Sequence, residues 1–178
     1  MDTYSLAERP DLVDQFWGVG GDWPTFMLKD PVARTRYELA TELFPDLHLL
    51  ALEDDQVIAR VHAVPIPWPG ADELPDRGWD WALESAVDNP TGDRSAVSLI
   101  EARNRPALTR PRAQRPLLAA ARDTFNELGT TNLVGPVRPT GKALEPRTPA
   151  HQYSTRTRTD GLPADSWLRV HVRPAAAS

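Results

Sequence analysis

The 178-residue sequence has no cysteine. Disulfides, thiolate nucleophiles, zinc knuckles and iron–sulfur clusters are thereby excluded. Histidine is scarce as well: there are four, at positions 48, 62, 151 and 171. None lies at metal-ligand spacing from another, so no metal site is expected. No apolar run approaches the ~18 residues that a membrane span requires. The segment Met1-Asp2-Thr3-Tyr4 lacks the basic-then-apolar layout of a signal peptide. The expectation is a cytoplasmic chain with no membrane partner. There is no Gly-x-Ser-x-Gly elbow, no repeat and no low-complexity tract before the final Pro174–Ser178, which reads as a frayed end. Gly18-Val19-Gly20-Gly21 follows a helical pattern and not a strand, which argues against a nucleotide loop.

What is present fits one domain over residues 1–178, long enough to bury roughly 70% of its unfolded surface without a staple. The net charge of −5 argues against nucleic acid as a partner. That charge is unevenly spread. Residues 101–178 carry 13 Lys and Arg against 6 Asp and Glu, and Arg103, Arg105, Arg110, Arg112, Arg115 and Arg122 occur with no acid between them. A basic half on an acidic protein points either to an anionic ligand or to a match with the acidic half. Eighteen prolines are about twice the ordinary share and predict many stiff loops.

Hydrophobic spacing predicts a short helix from Pro10 through Trp17. A second helix opens at Asp30-Pro31 and runs through Ala33, Tyr37, Ala40 and Phe44 to Pro45. Leu47 to Glu53 and Val57 to Val64, joined by Asp54-Asp55-Gln56, read as a β-hairpin. Pro65, Pro67 and Pro69 are expected to stop its second strand. Trp79, Leu83, Ala86 and Val87 mark a helix, and Ala96 to Arg103 a strand. Leu117, Ala121, Phe125 and Leu128 form a helical stripe closed by Gly129. Leu133 to Val137 reads as a strand, Pro149 to Arg158 as a helix and Trp167 to Arg173 as an alternating strand. The fold class is α/β (α+β), with a mixed sheet.

The order of the last five elements is that of the GNAT-type N-acyltransferase fold. The sequence resembles an acetyltransferase-like group of that superfamily over most of residues 8–173. The match is carried by Trp23-Pro24-Thr25-Phe26-Met27, by Asp76-Arg77-Gly78-Trp79-Asp80-Trp81, by Gly135-Pro136-Val137-Arg138-Pro139-Thr140-Gly141-Lys142 and by the stretch from Arg156 to Arg173. The resemblance implies a mixed central sheet flanked by helices, with the family's C-terminal strands missing after residue 173. An edge left open in that way favours a homodimer.

The resemblance further implies acyl-CoA as co-substrate, lying in a splay between strands 96–103 and 133–137. In the family its pyrophosphate is held by backbone N–H groups of a glycine-rich turn opening the next helix, an anion site of the usual kind. Aligned on Glu101 and Arg105-Pro106, that turn falls on Thr109-Arg110-Pro111-Arg112-Ala113-Gln114. Arg110 and Arg112 stand at the glycine positions, and Pro111 has no N–H to give. The loop is therefore degenerate. Either arginine side chains replace its backbone contacts, or the site is defunct or refitted. The expected cofactor contacts are Ala102, Arg103, Arg110, Arg112, Ala113, Gln114 and Arg115.

For catalysis the resemblance implies that Tyr153 protonates the departing thiolate, since a phenol stays neutral at physiological pH. Its plainer role is ring packing. Glu101 alternates on one strand face with Val97 and Leu99 and is a candidate general base, or else the partner of Arg103 or Arg105. His62 shares a strand face with Arg60 and is a candidate substrate-facing base. Two functions follow as expectations. One is acyl transfer from acyl-CoA to the amine of a small molecule. The other is a non-catalytic or repurposed relative that binds a small molecule or protein partner without CoA.

Overall fold

A computed structural model describes residues 2–21, 23–105 and 114–172. Residues 109–113 of the expected pyrophosphate turn, Thr109 to Gln114, and the expected tail at 174–178 lie outside them. The chain forms two compact units, Met1–Pro136 and Val137–Ser178.

The first unit is built on a five-stranded sheet in the order β1 (Asp2–Ser5), β2 (Leu49–Glu53), β3 (Gln56–Ile66), β4 (Ala96–Asn104) and β5 (Asn132–Val134). The first four strands are antiparallel in sequence, and β4 and β5 run parallel, so the sheet is mixed as expected. The predicted hairpin is β2–β3. Its two-residue turn places Asp54 and Asp55 at φ 49° and 58°, the left-handed conformation that matches the twist of the flanking strands. β5 is shorter than the expected run from Leu133 to Val137, and two other strands depart from the sequence reading. β1 was not foreseen, because Asp2-Thr3-Tyr4-Ser5 has almost no apolar content; its backbone pairing with β2 makes it a strand. β3 runs through Pro65 to Ile66, where a stop was expected. β2 pairs β3 only as far as Val61, so on that side the ladder asks Pro65 for no donor.

Helices cover this sheet. α1 (Val13–Gly18), α2 (Thr25–Leu28) and α3 (Pro31–Leu43) precede β2; α4 (Gly78–Val87) precedes β4 and α5 (Gln114–Glu127) follows it. α3 starts where Asp30 predicted. That carboxylate accepts from the N–H groups of Val32 and Ala33 at 2.8 and 2.9 Å, with Pro31 in the first turn. α5 buries Leu117, Ala121 and Phe125 against the sheet, and each of the larger two contributes roughly 1.5–3 kcal/mol of apolar burial. Gly129 closes that helix with φ 85°.

The second unit holds α6 (Ala150–Ser154) and α7 (Ser166–Val172). Here the sequence reading needs correction: residues 167–172 are helical, not a strand. Asp165 decides it, because its Oδ1 accepts from the N–H groups of Trp167 and Leu168 at 2.9 and 3.1 Å and starts a helix. The alternating run from Trp167 to Arg173 is too short to separate the two periods.

Candidate functional site

β4 carries a ladder on both edges at its start and on one edge thereafter. Toward β3 it is paired from Ala96 to Asn104. Toward β5 it is paired only at Ala96, Val97 and Ser98, opposite Asn132, Leu133 and Val134. Two residues on, Pro136 has no N–H with which to extend that ladder. From Leu99 to Asn104 the β5-side edge of β4 thus has no ladder partner among the described residues. A bulge adds to the divergence. His62 pairs with Glu101 and Ala63 with Leu99, leaving Ile100 without an opposite residue; such an insertion bends and twists the strand that holds it. The Ile100 carbonyl accepts instead from Trp79 Nε1 at 3.1 Å.

Beside this free edge lies a buried charged cluster. Glu101 Oε2 accepts from Tyr37 Oη and from Arg60 Nη2, each at 2.7 Å, and Oε1 accepts from Arg103 Nε. The Arg60 and Glu101 side chains are 4% and 9% exposed. Charge-assisted bonds of this kind hold a buried ion pair only while every partner is present. Arg60 is clamped further: Nη1 donates to the Phe16 carbonyl at 3.2 Å, and its guanidinium lies 5.0 and 4.9 Å from the rings of Phe16 and Trp17. Arg103 bridges outward to the Gly21 carbonyl and stands 5.5 Å over Trp23. Trp23 in turn meets Tyr37 at 5.0 Å and Trp79 at 5.8 Å. Burial, then the neighbouring Glu101 charge, push Tyr37 well above the ordinary phenol range, so it remains a donor.

His62 is fully buried. Its ring stacks on Tyr37 at 4.3 Å and meets His48 edge-on at 4.2 Å. Neither of its ring nitrogens has a hydrogen-bond partner among the described residues. Burial, then the proximity of His48 and Arg60, hold it well below the usual imidazole range. His48 is pushed down to about 4, chiefly by burial.

Tyr153 belongs to the second unit. Its hydroxyl donates to Asp165 Oδ2 at 3.0 Å, and the same oxygen accepts from the Gly141 N–H at 2.9 Å. A Cβ on Gly141 would fall 2.4 Å from the Tyr153 oxygen, so only glycine permits this approach. Burial and the bond to Asp165 raise the phenol above its usual value. Although burial works the other way, the bonds from Gly141, Leu168, Tyr153 and Trp167 keep Asp165 below the carboxylate range.

The structure thus brings Glu101, Arg103 and Ala102 onto the free stretch of β4, with His62 paired to Glu101 across the β3 ladder. Tyr153 sits with Asp165 in the other unit. Gln114 and Arg115 open α5, while Arg110, Arg112 and Ala113 lie outside the described residues. The sequence reading missed Arg60, Tyr37 and the tryptophan collar around Glu101, and also Asp165. Arg60 is the one with a signal, since a charge inside the apolar run Val57 to Val64 needs a buried partner. Among the described residues, no group of three His, Asp or Glu is arranged to hold a metal, and no helix is long and apolar enough to cross a membrane.

No protein-family model and no curated protein matches the sequence. Solved structures do match the fold. The GNAT-like decarboxylase GphF, in complex with isobutyryl-CoA, is 18% identical; the match spans 98% of this chain and 85% of that one, with a TM-score of 0.65. The loading GNATL domain of CurA from Lyngbya majuscula is 13% identical over 97% of this chain and 82% of that one, with a TM-score of 0.63. Mixed sheet, parallel β4–β5 pair and likeness over nearly the full length together give this chain the fold of the GNAT superfamily.

Proposed function

We propose that the chain holds an acyl-CoA thioester along the free edge of β4 and transfers the acyl group to the amine of a small molecule. The observation that carries this reading is the one-sided ladder of β4 beyond Ser98. An unpaired strand edge offers alternating N–H and C=O groups, and the two amides of a pantetheine arm can pair with it as a short added strand. N–H groups of the same edge would polarise the thioester carbonyl as the tetrahedral oxyanion forms. The amine nitrogen attacks that carbon, the C–S bond breaks, and the departing thiolate takes a proton. That proton comes from water, because the Tyr153 hydroxyl belongs to the second unit and already donates to Asp165 Oδ2.

In this reading Glu101 anchors rather than abstracts. Its two oxygens already accept from Tyr37, Arg60 and Arg103, so it fixes those groups beside the free edge, and the amine's proton passes to water. His62, dry and neutral, packs the cluster from behind. The N-terminus of α5 at Gln114 and Arg115, together with Arg110, Arg112 and Ala113, is the proposed phosphate site, with guanidinium groups taking the place of glycine backbone. Likeness in fold to a structure that contains isobutyryl-CoA supports the choice of ligand class.

The engaged state of Glu101 favours one other reaction. Decarboxylation of a carboxylated acyl-CoA begins with loss of CO2 and needs donors for the resulting enolate, but no base to start it. Mass spectrometry of mixtures containing the protein separates the two. An amide and free CoA from acetyl-CoA plus a panel of primary amines support transfer, and acetyl-CoA appearing from malonyl-CoA supports decarboxylation. If neither forms, and calorimetry gives no heat with acyl-CoA at millimolar concentration, both fall. The chain is then a GNAT-fold binder of a small molecule or protein partner without CoA.

A further inference from the structure

A small cavity opens where β4 and β5 meet, with a volume of about 100 Å³. Ile66 and Ser98 line it from the sheet, Trp81 and Ala82 from α4, and Val134 and Pro136 from β5 and the residues after it. All of them belong to the first unit. Val64 pairs with Ser98 and His62 with Glu101. Ser98 and Glu101 therefore face the same side of the sheet, with the bulge between them. The cavity adjoins the free stretch of β4 on the face that carries the charged cluster.

This is the closed end of the free edge. β4 and β5 are still laddered at Ser98 and Val134. Gly135 comes so near β4 that a Cβ on it would stand 3.3 Å from the Leu99 Cβ. A carrier laid along the edge from Asn104, with its phosphates toward α5, covers roughly 17 Å of strand and brings its thioester to this end. The chemistry of the lining fits that group. Among the described residues no charged side chain lines the cavity, and the Ser98 hydroxyl is its only side-chain oxygen. Ser98 is 2% exposed, and its Oγ makes no hydrogen bond among the described residues. An unpaired hydroxyl in such a place costs stability that a bond to a ligand oxygen recovers. The matching ligand is uncharged and mostly hydrocarbon, with one hydrogen-bonding oxygen, which describes a short acyl group.

We propose that this cavity receives the acyl group of the thioester and selects a neutral chain of up to about four carbons beyond the carbonyl, since a cavity of roughly 150 Å³ holds the six carbons of benzene. The proposal rests on the acyl-CoA reading above. Ser98 donates its hydroxyl to the carbonyl oxygen, and the hydrocarbon lies against Ile66, Trp81 and Val134. A longer chain overfills the space, and a carboxylate at its end would be buried without a cation.

Calorimetry of the full chain with CoA, acetyl-CoA, isovaleryl-CoA and octanoyl-CoA tests this. At roughly fourfold per buried methylene, isovaleryl-CoA is expected to bind at least tenfold tighter than acetyl-CoA, and also tighter than octanoyl-CoA. Ala82→Leu fills the cavity and is expected to abolish the isovaleryl advantage while acetyl-CoA binding changes little. Trp81→Ala enlarges it and is expected to move the preference to octanoyl-CoA, a gain that a mere packing defect does not give. Ser98→Ala is expected to weaken all three acyl-CoAs severalfold and to leave free CoA unchanged. Equal affinity for the three chain lengths, or an isovaleryl advantage retained in Ala82→Leu shown folded by circular dichroism, would overturn the proposal and leave the acyl-CoA reading standing. No heat with any of the four ligands would overturn both.

Discussion

Acidification is expected to unfold this protein through the paired imidazoles of His48 and His62. Both are fully buried, and their ring centroids are 4.2 Å apart. His48 is lowered from 6.5 to about 4 by burial, with Arg60 nearby adding to the effect. His62 is shifted in the same direction by burial, by His48 and by Arg60. In the unfolded chain both regain ordinary imidazole behaviour, so between those two values the unfolded state binds more protons than the folded one. Stability is then complete above pH 6.5 and is lost as the pH falls toward the folded value. For His48 alone the span of roughly 2.5 units, at ~1.4 kcal/mol per unit, amounts to about 3 kcal/mol, a large share of a domain's stability. His62 adds a loss of the same sign. Urea unfolding followed by tryptophan fluorescence across this range reads the slope. The variant His62→Phe keeps a ring against Tyr37 and removes two unpartnered nitrogens. It is expected to match or exceed the parent near neutrality and to flatten the acid slope. An unchanged slope in that variant, or a parent that gains stability on acidification, would refute the reasoning.

Other expectations follow from single contacts. Arg60→Met strands Glu101 beside a phenol and one remaining guanidinium, and should cost about 3–5 kcal/mol by urea unfolding. Arg36→Met breaks the exposed pair with Asp88 and should cost no more than about 1 kcal/mol in the same assay. Asp30→Ala removes the α3 cap and should cost about 1 kcal/mol, with most of it recovered in Asp30→Ser.

Much of the fold could be read from local chemistry. The Asp30-Pro31 start of α3, the hairpin at Asp54-Asp55 and the Leu117/Ala121/Phe125 stripe of α5 each rest on a few adjacent residues. Features set by distant partners were not readable. The strand character of residues 2–5 comes from their pairing with Leu49 to Leu52, and the passage of β3 through Pro65 depends on where β2 ends. The same holds for the site. Glu101 and Arg103 stand out in the sequence, but Tyr37 and Arg60 reach Glu101 across 64 and 41 residues: the register of β3 on β4 brings Arg60 there, and α3 brings Tyr37. At the C-terminal end the reverse error arose. The alternation from Trp167 to Arg173 suggests a strand, while a single carboxylate at Asp165 caps a helix.

Hydrogen–deuterium exchange of β4 tests the central claim most directly, because it reads the backbone amides to which a thioester carrier would pair. Saturating isobutyryl-CoA is expected to slow exchange in the peptide covering Leu99 to Asn104 while leaving β1 and β2 unchanged. Exchange across Leu99 to Asn104 that is identical with and without millimolar acyl-CoA would contradict the account.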